Sequence, residues 1–332
     1  MMPYILHAGL ILAACLVFYK ILLQKETFFQ LNRWVLMVCL VLSFGLPMIP
    51  VPEQWSFQQA ESQQEVFLPA IQTQEIVSAP VNSQPNVVEE KAFNWSMAIT
   101  WLIRLYWLGV IIFAINFLLQ IITLLYRAYT RPVIKDGRFR IVELSGDTAP
   151  CSFANNIFIN PEKYDWETYN QVLQHEKIHI QEKHTLDLII AELVIIFQWF
   201  NPFAWWYRKE LENNLEFLTD DRFLHHPEVE KTSYQLSLLK VSAPHFPLSL
   251  TTNYNQSLLK KRVAMMNAKK SNVHTTWKYL FLFPVLVLSV CLLNKPVVNA
   301  QSAQKNANKE NRKNHPGLPR SEEHTSELQS PI

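Results

Sequence analysis

Four apolar runs constrain this chain more than any other feature of its sequence. They occupy residues 4–23, 34–50, 98–126 and 277–293. Each is long enough to cross a lipid bilayer as a helix, which takes roughly 17–25 residues. Because the bilayer core offers no water to satisfy free backbone groups, such runs have to be helical. The sequence therefore predicts a mainly α-helical, polytopic membrane protein with four transmembrane helices.

The composition of the chain agrees with a membrane protein. Of its 332 residues, 49% are hydrophobic and only 17% are charged, whereas a soluble domain usually has about 25% charged residues. The formal net charge is only +2, and a nucleic-acid-binding protein would carry a concentrated basic face. We therefore expect membrane lipid as a partner and no direct binding to nucleic acid.

The charges between the apolar runs predict how the chain is oriented. Basic residues dominate residues 18–33, residues 127–140 and the segment just before the fourth run, whereas residues 51–94 contain six Glu and a single Lys. Positively charged loops stay in the cytoplasm. The pattern predicts a multi-pass protein of the inner (cytoplasmic) membrane, with both termini and the 51–94 loop outside and residues 127–276 inside. The basic side chains before the fourth run are Lys260, Lys261, Arg262, Lys269 and Lys270.

A fifth apolar run, residues 186–206, is also long enough to cross, but it contains Asp187 and Glu192 and is interrupted by Pro202. A crossing would put the following residues on the side opposite to the "HEKIH" motif discussed next. We therefore expect a helix buried in the inner domain or lying against the membrane. A re-entrant segment is the alternative.

The motif "HEKIH" at residues 175–179 predicts a metal site. Residues 165–184 have apolar residues at helical spacing, and Asp165 can cap that helix. On a helix, His175 and His179 lie one turn apart on the same face, where both imidazoles can bind one zinc ion. Glu176 then lies beside the metal and can take a proton from a bound water.

A catalytic zinc needs a third protein ligand and one open position. The position at which a third histidine follows HExxH in one peptidase class is occupied here by Thr185. A predicted helix over residues 208–224 offers Glu216 as the ligand instead. Asp220 lies one turn further on the same face and can accept a hydrogen bond from a ligand histidine. Glu212, one turn before Glu216, is the competing candidate.

Three segments of the sequence carry a resemblance to a known family. "QHEKIHIQEKHTLDLIIAEL", "WFNPFAWWYRKELENNLEFLTDDRFL" and "LLKKRVAMMNAKKS" resemble the BlaR/MecR-type regulatory membrane zinc metallopeptidases, which are antibiotic-sensing signal transducers. The likeness covers residues 1 to about 295, including the order of the membrane helices. It implies a cytoplasmic zincin-like α+β peptidase domain in which zinc is bound by His175, His179 and Glu216. Glu176 would be the general base, with Asp220 behind the ligands.

The resemblance also implies a substrate-binding edge strand upstream of the HExxH helix. The segment "CSFANNIFIN", residues 151–160, occupies that place, and its central residues would pair with an extended peptide. An ordinary strand covering the core is the alternative. The residues expected to bind substrate are Asn155, Asn156, Ile157 and Phe158.

These patterns divide the chain into successive parts. The end of the chain contains "RSEEHTSELQS", residues 320–330, which looks like a translated sequencing-library adapter, so we expect the natural chain to continue differently after about residue 319. The predicted parts are transmembrane helices 1 and 2 (1–50), an extracytoplasmic loop (51–97), transmembrane helix 3 (98–126), the cytoplasmic zinc peptidase domain (127–276), transmembrane helix 4 (277–295), an extracytoplasmic linker (296–319) and a non-native tail (320–332).

The sequence thus predicts a zinc-dependent membrane metalloendopeptidase with a signal-transducing role. The resemblance implies that it cleaves itself or a cytoplasmic winged-helix transcriptional repressor. Two other functions stay open: a non-catalytic membrane sensor or scaffold that holds a structural zinc, and a housekeeping peptidase of the CAAX-processing type. The soluble-looking residues 127–185 argue against the last, which usually has its site within the membrane.

Overall fold

A computed structural model describes residues 2–52, 95–146, 148–242, 254–294 and 296–297. These residues are mainly helical (75%), as the apolar runs predict. Most of the predicted outer loop, residues 53–94, lies outside the described residues. So do nearly all of the predicted linker and the adapter-like tail, residues 298–332.

Within the described residues, four helices are long and apolar enough to cross a membrane, which confirms the four predicted runs. The first combines α1 (Met2–Phe18) with a π-helical turn, and the second contains α2 (Phe29–Gly45). The third is α3 (Trp95–Thr130), and the fourth joins a 3₁₀ segment to α9 (Leu282–Leu293). Their full extents are Tyr4–Leu23, Phe29–Met48, Trp95–Thr130 and Val273–Leu293.

Among the described residues, five more α-helices lie between the third and fourth apolar helices. Their bounds are α4 (Trp166–Gln181), α5 (His184–Phe197), α6 (Pro202–Leu224), α7 (Lys231–Ser242) and α8 (Tyr254–Met266). Asp165 caps α4 as predicted, because its side chain accepts a hydrogen bond from the backbone N–H of Thr168. Lys183 has a φ of 58°, and this left-handed residue ends α4 and redirects the chain into α5. Asn201 caps α6 by accepting from the N–H of Phe203.

The fifth apolar run turns back on itself instead of continuing as a long helix. Helix α5 has 14 residues and is therefore about 21 Å long, shorter than the roughly 30 Å of a bilayer core. The chain turns at residues 198–201 and returns as α6, which packs against α5. Residues 207 onward consequently come back to the end of the molecule that holds "HEKIH", as the sequence predicts.

The tip of this α5–α6 hairpin lies between α1 and α3. Gln198 donates from Nε2 to the carbonyl of Ile5 at 2.8 Å, and the ring of Trp199 stacks on Phe113. Trp199 also approaches α3 closely, since a Cβ added to Gly109 would lie 2.2 Å from its ring. The hairpin therefore runs alongside the apolar helices.

A four-stranded sheet comprises β2 (Val133–Asp136), β3 (Phe139–Glu143), β4 (Cys151–Phe153) and β5 (Asn156–Ile159). Its strand order is β2-β3-β5-β4, and it packs against the end of α3 and against α4. Strands β3 and β5 are parallel, and the other neighbours are antiparallel. A separate pair of short parallel strands, β1 (Val51–Pro52) and β6 (Pro296–Val297), joins the ends of the second and fourth apolar helices.

The predicted edge strand needs correction. Residues 151–160 form a hairpin instead of one strand, because Ala154 adopts a left-handed φ of 52° and starts a tight turn that includes Asn155. Asn156, Ile157 and Phe158 lie in β5, which is buried and paired on both sides. Among the described residues, the strand at this edge of the sheet is β4 (Cys151–Phe153).

The largest apolar core joins α6 to the first two apolar helices. It contains Leu16, Leu36 and Leu211 among other buried residues, and the Tyr207 hydroxyl donates to the carbonyl of Leu36 at 2.6 Å. The start of α5 is tied to α2 by the Arg33 guanidinium, which donates from Nε to Asp187 at 2.7 Å. The helix that carries Glu216 is thus held firmly by the helices that could cross a membrane.

Candidate metal centre

His175, His179 and Glu216 meet at the contact between α4 and α6. The two Nε2 atoms are 3.1 Å apart, and the Glu216 carboxylate oxygens lie 3.4 Å from His175 Nε2 and 3.6 Å from His179 Nε2. One ligand atom from each residue lies within 4.8 Å of the others. Two imidazoles one turn apart on α4 and one carboxylate from α6 therefore form a group that could hold a metal ion.

The spacing of these atoms fits a tetrahedral ion of the size of zinc. Zinc binds imidazole nitrogen and carboxylate oxygen at about 2.0–2.2 Å, so two ligands of one tetrahedral ion are about 3.3 Å apart. The observed separations of 3.1–3.6 Å bracket that value. Among the described residues, the group has three members, which would leave one position of a tetrahedron open.

The second ring nitrogen of His175 is held by Tyr234, a residue that the sequence did not reveal. The Tyr234 hydroxyl lies 2.8 Å from Nδ1 of His175 and donates to Asp220 Oδ1 at 2.6 Å. Since the hydroxyl hydrogen points to Asp220, the hydroxyl oxygen accepts from the Nδ1–H of His175. The lone pair of that ring then lies on Nε2, the atom that faces Glu216.

Asp220 was predicted to accept directly from a ligand histidine, and this prediction needs refinement. Its Oδ1 lies 3.8 Å from His175 Nδ1, too far for a hydrogen bond, because the Tyr234 hydroxyl lies between them. Asp220 therefore acts on His175 through Tyr234. Glu212, the competing ligand candidate, pairs with Arg208 at 3.0 Å and is not in the three-residue group.

His184 contacts the other histidine of the candidate metal centre, His179. Its Nδ1 lies 2.9 Å from Nδ1 of His179, so one of the two nitrogens has to donate to the other. When Nε2 of His179 carries the lone pair, its Nδ1–H donates and His184 accepts. Burial, together with the neighbouring His179, lowers the pKa of His184 to about 2, which keeps the ring neutral and able to accept.

Glu176 lies beside the cluster and reaches the sheet. Its side chain is buried and contacts Ser152 of strand β4. Burial raises the pKa of this carboxyl, although His179 and the Ser152 hydrogen bond oppose the change. A raised pKa suits a group that accepts a proton and later releases it near neutral pH.

Arg262 of α8 is the second residue of the site that the sequence did not reveal. It was grouped with the basic residues that fix orientation, yet its guanidinium points inward and only 12% of the side chain is exposed. It donates to Glu216 at 2.9 Å and to Asp220 at 2.6 Å. Burial would raise the pKa of Glu216, but the Arg262 charge, together with His179 and His175, outweighs burial and holds that pKa well below its usual range.

A cavity of about 210 Å³ opens onto the candidate metal centre. His175, Glu176 and Glu216 form one side of it. Apolar side chains from α4, α7 and α8 form much of the remainder. They are Val172, Leu238, Val241, Leu258 and Leu259.

Comparison with protein-family models finds no match, and comparison with curated protein sequences finds no significant match. The function of the site therefore has to be inferred from its own residues, their geometry and the helices that carry them.

Proposed function

We propose that this protein is a membrane-embedded zinc metalloendopeptidase. The observation that carries the proposal is the convergence of His175, His179 and Glu216 within 4.8 Å, beside a buried Glu176 and an open cavity. Two imidazoles, one carboxylate and a free position are the ligand set of catalytic zinc sites. A structural zinc site would be closed by four protein ligands, and the group found among the described residues has three.

The residues around the site can be assigned roles in peptide hydrolysis. Bound zinc would polarise the peptide carbonyl and lower the pKa of the attacking water. The Glu176 carboxylate would take the proton of that water and hand it to the leaving amine nitrogen. Tyr234 and His184 would hold the two ligand rings with Nε2 free, because each contacts the Nδ1 atom of one ring.

Strand β4 offers a place for an extended substrate. It lies at one edge of the sheet and touches Glu176 through Ser152. An exposed sheet edge can pair with an extended peptide through the main chain. A peptide bound along β4 would pass close to the metal ligands, with the apolar cavity available to one of its side chains.

The candidate metal centre lies at the end of the bundle where α1 joins α2. Phe29, at the start of α2, packs on Phe217, the residue after the ligand Glu216. Residues 18–33, which include the α1–α2 connection, contain Lys20, Lys25 and Arg33 against Glu26, so the positive-inside rule favours a cytoplasmic site. A cytoplasmic transcriptional repressor, or the chain itself, would then be the substrate in a signalling role.

Replacing the proposed general base tests the mechanism. Glu176→Gln keeps the size of the side chain but removes the proton acceptor, so zinc should still bind while peptide hydrolysis falls by orders of magnitude. Purified full-length chain would be assayed by metal analysis, by fragmentation of the chain itself and with a fluorescent unfolded protein as substrate. Glu167→Gln, on the exposed start of the same helix, is the matched control. Hydrolysis by the Glu176→Gln variant at the wild-type rate would refute the proposal.

A further inference from the structure

Arg262 differs from the basic residues around it on α8. Lys260 and Lys261 are exposed, whereas the Arg262 guanidinium lies in the same buried network as the metal-binding residues. It makes two hydrogen bonds to the Asp220 carboxylate, from Nε at 2.9 Å and from Nη2 at 2.6 Å. Its Nη1 lies 2.9 Å from Glu216 Oε2.

This geometry fixes two carboxylates with one planar group. A guanidinium offers its N–H donors in a rigid fork that matches carboxylates, so both partners are constrained in direction as well as in distance. Asp220 is only 1% exposed and would lose its main compensating charge without Arg262. Glu216 would lose the donor to Oε2 and gain freedom to turn away from the two histidines.

The helix that carries Arg262 is itself anchored to the apolar helices. The segment after α8 exchanges two hydrogen bonds with the α1–α2 connection: the backbone N–H of Thr27 donates to Ser271 Oγ at 2.9 Å, and that of Ser271 donates to Thr27 Oγ1 at 2.8 Å. The chain then enters the fourth apolar helix. Arg262 therefore links the metal-binding face of α6 to a helix held by the membrane-crossing part of the protein.

We propose that Arg262 is a positioning residue of the metal centre, which orients Glu216 and Asp220 so that the site assembles only when α8 is docked against α6. This inference rests on the proposed function, because it requires a metal at His175, His179 and Glu216. Arg262 supplies no ligand atom and acts through the two carboxylates. Removing it should therefore weaken metal binding and distort the coordination geometry even though every ligand is still present.

The test compares metal binding by the full-length chain and its variants. Zinc affinity is measured by competition with a chromophoric chelator, and geometry by the visible absorption of the Co²⁺-substituted protein. Arg262→Ala should lower zinc affinity about 10- to 100-fold, the usual effect of losing a group that orients a ligand, and should change the Co²⁺ spectrum. Arg262→Lys keeps the positive charge but lacks the planar arrangement of N–H donors, so its zinc affinity should lie between those of Arg262→Ala and the wild type. Lys261→Ala, the exposed neighbour on α8, should match the wild type.

A second comparison shows whether Arg262 acts through Glu216. In a Glu216→Gln background the additional Arg262→Ala change should cost much less affinity than it does alone, because the group it orients is no longer a carboxylate. If circular dichroism shows that Arg262→Ala does not fold, the Arg262→Lys variant is used instead. Its Co²⁺ spectrum should then differ from that of the wild type. Wild-type affinity and an unchanged spectrum in the folded Arg262 variants would overturn the inference and leave the proposed function intact. Failure of the unmodified chain to bind zinc would overturn both.

Discussion

The hydroxyl of Tyr234 lies 2.8 Å from Nδ1 of His175, although 59 residues separate the two in the sequence. This contact fixes the ring of one proposed metal ligand and passes the hydrogen-bond chain on to Asp220. Tyr234→Phe removes only the oxygen atom, so the His175 ring should lose its support without a change in packing volume.

We expect Tyr234→Phe to lower zinc affinity about 10- to 100-fold, because partners that orient a ligand histidine contribute on that scale. Competition with a chelator measures the affinity. Tyr169→Phe is the matched control, since Tyr169 lies on α4 but packs against the sheet cluster. Equal affinities for the two variants would show that the Tyr234 hydroxyl does not support the site.

The close approach of Gly109 to Trp199 gives a stability prediction. A Cβ at position 109 would lie 2.2 Å from the indole ring, so Gly109→Ala should push α3 away from the α5–α6 hairpin. Overpacking of this kind costs about 1–3 kcal/mol, visible as a lower thermal midpoint in detergent. Gly45→Ala, where a Cβ meets nothing within 4 Å, should not lower it. Adding Gly109→Ala to Trp199→Ala should lower the thermal midpoint little further, because the indole ring that the new Cβ would meet is then absent.

Asp165 gives a prediction for pH. Its hydrogen bond with Lys240, aided by the bonds from Thr168, lowers the pKa of its carboxyl from 3.8 to about 2. A carboxyl whose pKa is lower in the folded state stabilises the fold above its unfolded pKa, and that stabilisation disappears as the pH falls through the folded pKa. The wild type should therefore lose more thermal stability than Asp165→Asn between about pH 4 and pH 2. Asparagine still caps the helix, so the two proteins differ only in the charge. If their thermal midpoints fell by the same amount over this pH range, the charge effect would be contradicted.

The hairpin of α5 and α6 gives a topology prediction. Because the chain turns back at residues 198–201, positions before and after it should lie on the same side of the membrane. In a variant without the four native cysteines, single cysteines at Glu167 and Glu228 should react with a membrane-impermeant maleimide only after cells are permeabilised. A cysteine at Met48, at the opposite end of α2, should react in intact cells. Labelling of positions 167 and 228 from opposite sides would show that the hairpin crosses.

The parts of the structure that depend on local spacing could be predicted from the sequence. The length of the apolar runs predicted the four long helices, and the helical period predicted that His175 and His179 lie on one face. The pairing of this motif with Glu216 followed from the needs of zinc. Local spacing gave no signal for Tyr234 or Arg262, because Tyr234 contacts His175, 59 residues away, and Arg262 contacts Asp220, 42 residues away.

The strand prediction failed for a local reason. The turn between β4 and β5 begins at Ala154, a residue with no preference for its left-handed conformation. Neither glycine nor proline marks the turn, so residues 151–160 looked like one strand. The adjacent Asn155 and Asn156 were the only available hint, since asparagine is common in turns.

Helix α6 has 23 residues from Pro202 to Leu224 and is therefore about 34 Å long. Its N-cap, Asn201, lies beside Gly9 in the first half of α1, and Glu216 follows Pro202 by about 21 Å along the helix axis. One continuous helix therefore connects the hairpin tip, packed among the apolar helices, to the Glu216 carboxylate. A slide of α6 along its axis would move both ends of the helix together, so a shift of the apolar helices in that direction would change the distance between Glu216 and the two histidines of α4.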